Sequence, residues 1–169
     1  MYFLPNSEHI NKQRYTAYLF HIIFIIVYNF TMSKLTRVIV TNTAEFENTL
    51  KTQMSIVKEQ GQKLFLLFTG ENDSTTGKSW CGDCVDAKPI LDSIFQEGAG
   101  AGSKGIVLIE CPLVRNDYKG NPSHPYRTHP QVKLQKIPTL MRWGTKGKTG
   151  ECIEDECKDA ELVKELVLN

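Results

Sequence analysis

Apolar residues recur along this chain with spacings that change from segment to segment, and the changes mark out elements. Residues 36–40, Thr36-Arg37-Val38-Ile39-Val40, read as a short strand. Asn42 or Thr43 then supplies an N-cap for a helix whose apolar positions Phe46, Leu50, Met54 and Val57 share one face, and Gly61 ends it. Residues 64–68 are an unbroken apolar run of strand length, which predicts burial on both faces. A polar loop over 70–79 leads into a second helical stripe of Ile90, Leu91, Ile94 and Phe95, and glycines over 98–105 close it. Residues 106–109 form the next buried strand. Strand, helix, strand with buried apolar runs argues for parallel pairing in an α/β sheet.

Beyond it the pattern loosens. Residues 112–136 carry four prolines together with His124 and His129, and predict a long connection holding one short helix. Pro138 enters a strand over 138–143, residues 144–150 make a turn, and residues 151–154 make a short edge strand. Leu162, Val163, Leu166 and Val167 are the stripe of a final helix. The first 31 residues differ from all of this: Lys12 and Arg14 precede an apolar stretch from 15 to 30, interrupted by His21 and Asn29. The stretch resembles the basic and apolar regions of a signal peptide, but no small-residue cleavage site follows, and it is short for a span of about 20 apolar residues. An uncleaved anchor, a poor signal and upstream codons ahead of a start at Met32 compete, and the last is favoured. The expected organisation is an N-terminal extension over 1–31 and one domain over 32–169.

Composition narrows the field further. The 169 residues are 41% apolar and 23% charged, with 20 Lys+Arg against 19 Asp+Glu and a net charge of +1. That is a globular composition with no general attraction to nucleic acid or acidic lipid. Five cysteines are too few for a disulfide-stapled miniature scaffold, and their odd number leaves at least one thiol without an intramolecular partner.

Two of those cysteines carry the strongest chemical signal. Cys81 and Cys84 follow a buried strand and open a helix in Trp80-Cys81-Gly82-Asp83-Cys84. At a helix start the first cysteine meets free backbone N–H groups and the positive end of the dipole, which favour a thiolate, while the second lies one turn on, within reach of its sulfur. Cys81 is therefore the candidate nucleophile and Cys84 the resolving thiol. Trp80 is placed to shield the pair and to offer a flat surface to a docking disulfide. Half of a zinc site needs two more ligands, and His124 and His129 lie far outside the usual spacing, so no metal is expected.

Phe68-Thr69-Gly70, Gly77-Lys78-Ser79-Trp80-Cys81-Gly82-Asp83-Cys84, Pro89 and Ile137-Pro138-Thr139-Leu140 together resemble the thioredoxin domain-containing protein 17 family of small, cytosolic thioredoxin-related proteins. The resemblance runs from about residue 36 to the C-terminus. It implies a thioredoxin-like α/β fold, a central mixed sheet flanked by helices, in a cytoplasmic monomer. It also implies attack by Cys81, resolution by Cys84, redox tuning by Gly82 and Asp83, and substrate contact at Trp80, Ile137 and Pro138, the last a cis proline. Protein disulfides or cystine would be reduced, peroxide by the same nucleophile, and no cofactor would be bound. Electrons would come from NADPH through thioredoxin reductase. Two departures stand out. Gly82 replaces the family's proline, freeing an N–H to approach the Cys81 sulfur, and the strand over 64–68 lacks the buried aspartate of thioredoxin. Asp83 either accepts the Cys84 proton in its stead or is a solvated first-turn aspartate. The rival readings are a secretory disulfide oxidase or isomerase and a binding module switched by its cysteines.

Gly77-Lys78-Ser79 mimics the end of a phosphate-binding loop, but the required first glycine is Asn72 and Gly70 stands two positions too early. Lys78 is read as a surface charge. Cys111 is expected to be an inert core thiol, Cys152 and Cys157 a conceivable second disulfide, His124 and His129 solvent-facing, Pro89 a kink, and Met141 and Trp143 packing residues.

Overall fold

A computed structural model describes residues 34–100 and 102–169; the expectations for residues 1–31 lie outside the described residues. Five strands form one mixed sheet: β1 (Leu35–Ile39), β2 (Lys63–Gly70), β3 (Ile106–Leu113), β4 (Thr139–Gly144) and β5 (Gly147–Ile153), in the order β1-β3-β2-β4-β5. β3 is parallel to both β1 and β2, while β4 runs antiparallel to β2 and β5 antiparallel to β4. Helix α1 (Phe46–Gln60) connects β1 to β2, and α2 (Gly82–Gly98) connects β2 to β3. Two short helices, α3 (Arg115–Tyr118) and α4 (Pro125–Thr128), lie in the connection to β4, where the sequence led us to expect one. The chain closes with α5 (Ala160–Leu168).

The unbroken apolar runs are explained by a sheet covered on both faces. Strand side chains alternate sides. Accordingly Leu64, Leu66 and Phe68 of β2 join Val107, Ile109 and Cys111 of β3 beneath Phe46, Leu50 and Val57 of α1. Phe65 and Leu67 join Ile106 and Leu108 on the other face, beneath Leu91, Ile94 and Phe95 of α2 and Val163 and Val167 of α5. Met141 and Trp143 of β4 pack as expected on the α1 side.

Local chemistry sets most boundaries. Asn42 accepts the Ala44 N–H and caps a single 3-10 turn ahead of α1, and Gly61 ends α1 at φ 66°, a left-handed position that favours glycine. The last hairpin departs from the expected turn over 144–150. Gly144 pairs with Gly147 across only Thr145 and Lys146, so β5 starts at Gly147, four residues earlier than anticipated, with a register shift at Arg142/Trp143. In α5 the expected stripe holds at three of its four positions: Val163 and Val167 are fully buried and Leu166 packs partly buried beside them, whereas Leu162 is 41% exposed. Among the described residues no helix is long and apolar enough to cross a membrane.

Candidate active site

β2 ends at Gly70, and the nine residues after it make an excursion that returns the chain to the same sheet end. Asn72 bridges Ser79, the Asp73 N–H donates to Lys78 O, and the Asp73 carboxylate accepts the N–H groups of Thr75 and Thr76. Those bonds hold the Asp73 carboxyl below its ordinary range, and they occupy N–H groups that the phosphate-loop reading would turn outward. Ser79 then ties the excursion down, its Oγ donating to Gly70 O at 2.7 Å and accepting the Cys81 N–H at 3.2 Å. Gly70 is what allows this approach: a Cβ there would lie 2.6 Å from Ser79 Oγ and 2.9 Å from Cys81 Cβ.

Cys81 is the N-cap of α2. Its backbone is extended (φ −97°, ψ 112°), and its Sγ takes the place of the usual capping oxygen by accepting the Cys84 N–H at 3.3 Å. The expected additional donor at Gly82 is therefore not the group on the sulfur; the helical turn aims the N–H two residues later, as N-caps generally do. Cys84 lies one turn inside, 4% exposed, with its Sγ accepting the Gly70 N–H at 3.4 Å. Burial pushes the Cys84 thiol well above its ordinary value, proximity to Cys81 adds to that, and the Gly70 N–H works against it.

The other expected residues gather around the pair. The Cys81 thiol lies 3.7 Å from Ile137 O, and the Ile137–Pro138 peptide is cis, so the carbonyl before Pro138 faces the sulfur. Trp80 is half-buried beside them, its Nε1–H donating to Leu113 O at 2.7 Å. Gly82 is exposed, with no atom within 4 Å of where a Cβ would stand. Asp83 is exposed too, and its carboxylate is engaged by Lys158 Nζ at 2.9 Å, which places it as a solvated first-turn aspartate in an ion pair.

Several site residues escaped the sequence reading. Gly70 and Ser79 were legible as the bounds of a polar loop and as part of the family resemblance, with no role in the site assigned to either. Lys158 lies 75 positions from Asp83, and Arg115, Tyr118 and Arg127, which line the open cleft in front of Cys81, belong to the poorly patterned connection. The two histidines depart from expectation. His124 is only 5% exposed and caps α4 with Nδ1, and His129 packs edge-on against Phe46 while pairing with Glu47. A proline-rich loop that folds back over α1 buries what local sequence would leave in water. Cys111 is the expected buried thiol, pushed to about 12 by burial. Cys152 and Cys157 are free and buried, not joined in the conceivable second disulfide; the Cys157 thiol lies against two backbone carbonyls, Cys152 O at 3.2 Å and Pro138 O at 3.6 Å.

A mixed β1-β3-β2-β4-β5 sheet, with a cysteine pair opening the helix after β2 and a cis proline just before β4, defines a thioredoxin-like fold and supports a thiol–disulfide oxidoreductase role. Residues 39–169 match the family described as Thioredoxin domain-containing protein 17-like, thioredoxin domain, and the chain belongs to that family. It is 36% identical over 112 residues to Thioredoxin domain-containing protein 17 of Homo sapiens, covering 66% of this chain and 83% of that protein. It is 29% identical over 126 residues to Thioredoxin-like protein Clot of Arabidopsis thaliana, covering 75% of this chain and 91% of the relative. A protein named Acireductone dioxygenase from Leishmania infantum is 46% identical over 79 residues, 46% of this chain, but the match spans only 23% of that longer protein. Among solved structures, oxidized thioredoxin O1 from Arabidopsis thaliana aligns with 78% of this chain and 98% of its own at 19% identity and a TM-score of 0.47.

Proposed function

We propose that the protein is a protein-disulfide reductase. The observation that carries this reading is Cys81 Sγ at the helix start, accepting the Cys84 N–H at 3.3 Å. A backbone donor and the dipole end stabilise negative charge on that sulfur, while burial keeps Cys84 protonated until it is needed. The Cys81 thiolate attacks one sulfur of a substrate disulfide, forming a mixed disulfide and releasing the other sulfur as a thiolate. Cys84 then loses its proton and attacks Cys81 Sγ, closing the Cys81–Cys84 disulfide and releasing the second substrate thiol. Two electrons from NADPH, delivered through thioredoxin reductase, restore the dithiol. Cystine and peroxide are further oxidants for the same nucleophile, and the cytoplasm is the compartment in which such a dithiol stays reduced. Ile137, Pro138 and Trp80 form the surface a substrate meets.

Cys81→Ser is expected to abolish insulin or cystine reduction with NADPH and thioredoxin reductase, whereas Cys84→Ser accumulates mixed disulfides visible by non-reducing electrophoresis. Preferential labelling of Cys84 by limiting iodoacetamide at neutral pH would reverse the two roles. Absence of turnover despite an intact dithiol would favour a redox-switched binding module.

A further inference from the structure

The cleft in front of Cys81 has an uneven distribution of charge. Its volume is about 370 Å³, and its walls carry Arg115, Lys119, Arg127 and Lys136 against the carboxylates of Asp83 and Glu154. Both carboxylates are engaged, Glu154 by Lys136 and Asp83 at 2.9 Å by Lys158, which it shares with Asp155 at 2.5 Å. Among the described residues no carboxylate lies within ion-pairing distance of Arg115, Lys119 or Arg127. Asp117, on the same short helix as Arg115, lines a separate hollow with Asn121 and His124.

Two of these cations are held in place. The Arg115 guanidinium sits 5.9 Å from the centre of the Trp80 ring, beside the nucleophile. Arg127 stacks 4.1 Å over the Tyr118 ring and donates through Nη1 to Gln135 O at 2.6 Å, leaving its Nε–H buried without a partner. In a chain whose net charge is only +1, this places uncompensated positive charge at the mouth of the reactive cysteine.

We propose that this cleft selects disulfides carried on acidic polypeptide segments, with Arg115, Lys119 and Arg127 as the specificity-determining residues; the proposal rests on the reductase reading. Carboxylates flanking the substrate disulfide meet cations whose own fields are not cancelled, so encounter and orientation at Cys81 are faster for an acidic segment than for a basic one. Because the groups are partly solvated, the preference weakens as salt shortens the screening length.

The test uses the full chain, pre-reduced, and three disulfide-bonded peptides of equal length whose flanking residues are Glu, Gln or Lys. Second-order rates of oxidation of the Cys81–Cys84 pair are followed by rapid alkylation quench. At an ionic strength near 0.02 M the Glu peptide is expected to react about tenfold faster than the Lys peptide, narrowing to about twofold at 0.5 M salt. Arg115→Gln with Lys119→Gln should lose most of that preference, read as the ratio of the Glu-peptide to the Lys-peptide rate within the same preparation. Equal rates, a preference for the Lys peptide, or a preference unmoved by salt or by the double variant would overturn the proposal. Failure of all three peptides to react would overturn the reductase reading with it, and reaction of the Gln peptide without charge dependence would overturn the proposal alone. Should the double variant fold poorly, the salt dependence of the parent decides the matter.

Discussion

Single residues set the tightest constraints in this site. Gly70 has no side chain because the Ser79 hydroxyl and Cys81 Cβ fill the space one would take, at 2.6 and 2.9 Å. Gly70→Ala must push the cysteine loop away from the sheet end. We expect about 1–3 kcal/mol of lost stability, measured by denaturant unfolding, and a clear fall in reductase rate; an unchanged rate would show that the Ser79 anchor is dispensable. His124 acts through a proton. Burial, reinforced by the Arg127 charge, holds its imidazole below the ordinary value, so the unfolded chain protonates first as pH falls. Its contribution to stability is complete above about pH 6.5, is lost as pH drops through that value, and levels off once the folded imidazole also protonates. His124→Asn should flatten this part of the stability profile between pH 7.5 and 5.5, measured by urea denaturation. An identical slope in the variant would assign the dependence to other groups.

At the scale of the element, the start of α2 is where sequence and chemistry meet. Cys81 is extended, the conformation a following proline demands, and Gly82 is the first helical residue, where proline's missing N–H is not needed. A Cβ at Gly82 meets nothing within 4 Å. Gly82→Pro is therefore expected to stabilise the protein by about 0.4–1 kcal/mol through the unfolded chain. The donor to the Cys81 sulfur is the Cys84 N–H, which the substitution keeps, so the redox potential should move by less than about 30 mV, equivalent to about 1.4 kcal/mol for a two-electron couple. Equilibration against a glutathione buffer measures it, and a larger shift would mean that the Gly82 backbone contributes directly to thiolate stability.

Among the described residues, both faces of the sheet are covered by helices and loops, with Val40, Phe46 and Ile106 among the buried side chains. A chain starting at Met32 is accordingly expected to fold and to keep its reductase rate. Far-UV circular dichroism, thermal unfolding and turnover check this together, and loss of solubility or activity would show that the preceding residues take part in the domain.

Much of this architecture was legible one residue at a time. Apolar runs of strand length at 64–68 and 106–109 predict strands buried on both faces, which calls for helices on each side, and Gly61 and Asn42 act within a few residues of where they stand. Cys81 and Cys84 were legible because a helical turn brings residues three apart together without help from the rest of the chain. Other features depend on distant segments meeting. The Ile137 carbonyl faces Cys81 because β4 inserts antiparallel beside β2, and Lys158 reaches Asp83 because the segment before α5 folds back onto α2. His124 is buried because its loop closes over α1. Sequence by itself determined the local elements and the dithiol, since their causes are short-range. Tertiary structure decided which carbonyl, which cations and which histidine surround that dithiol, since those contacts exist only once nonlocal strands have paired and buried a common core.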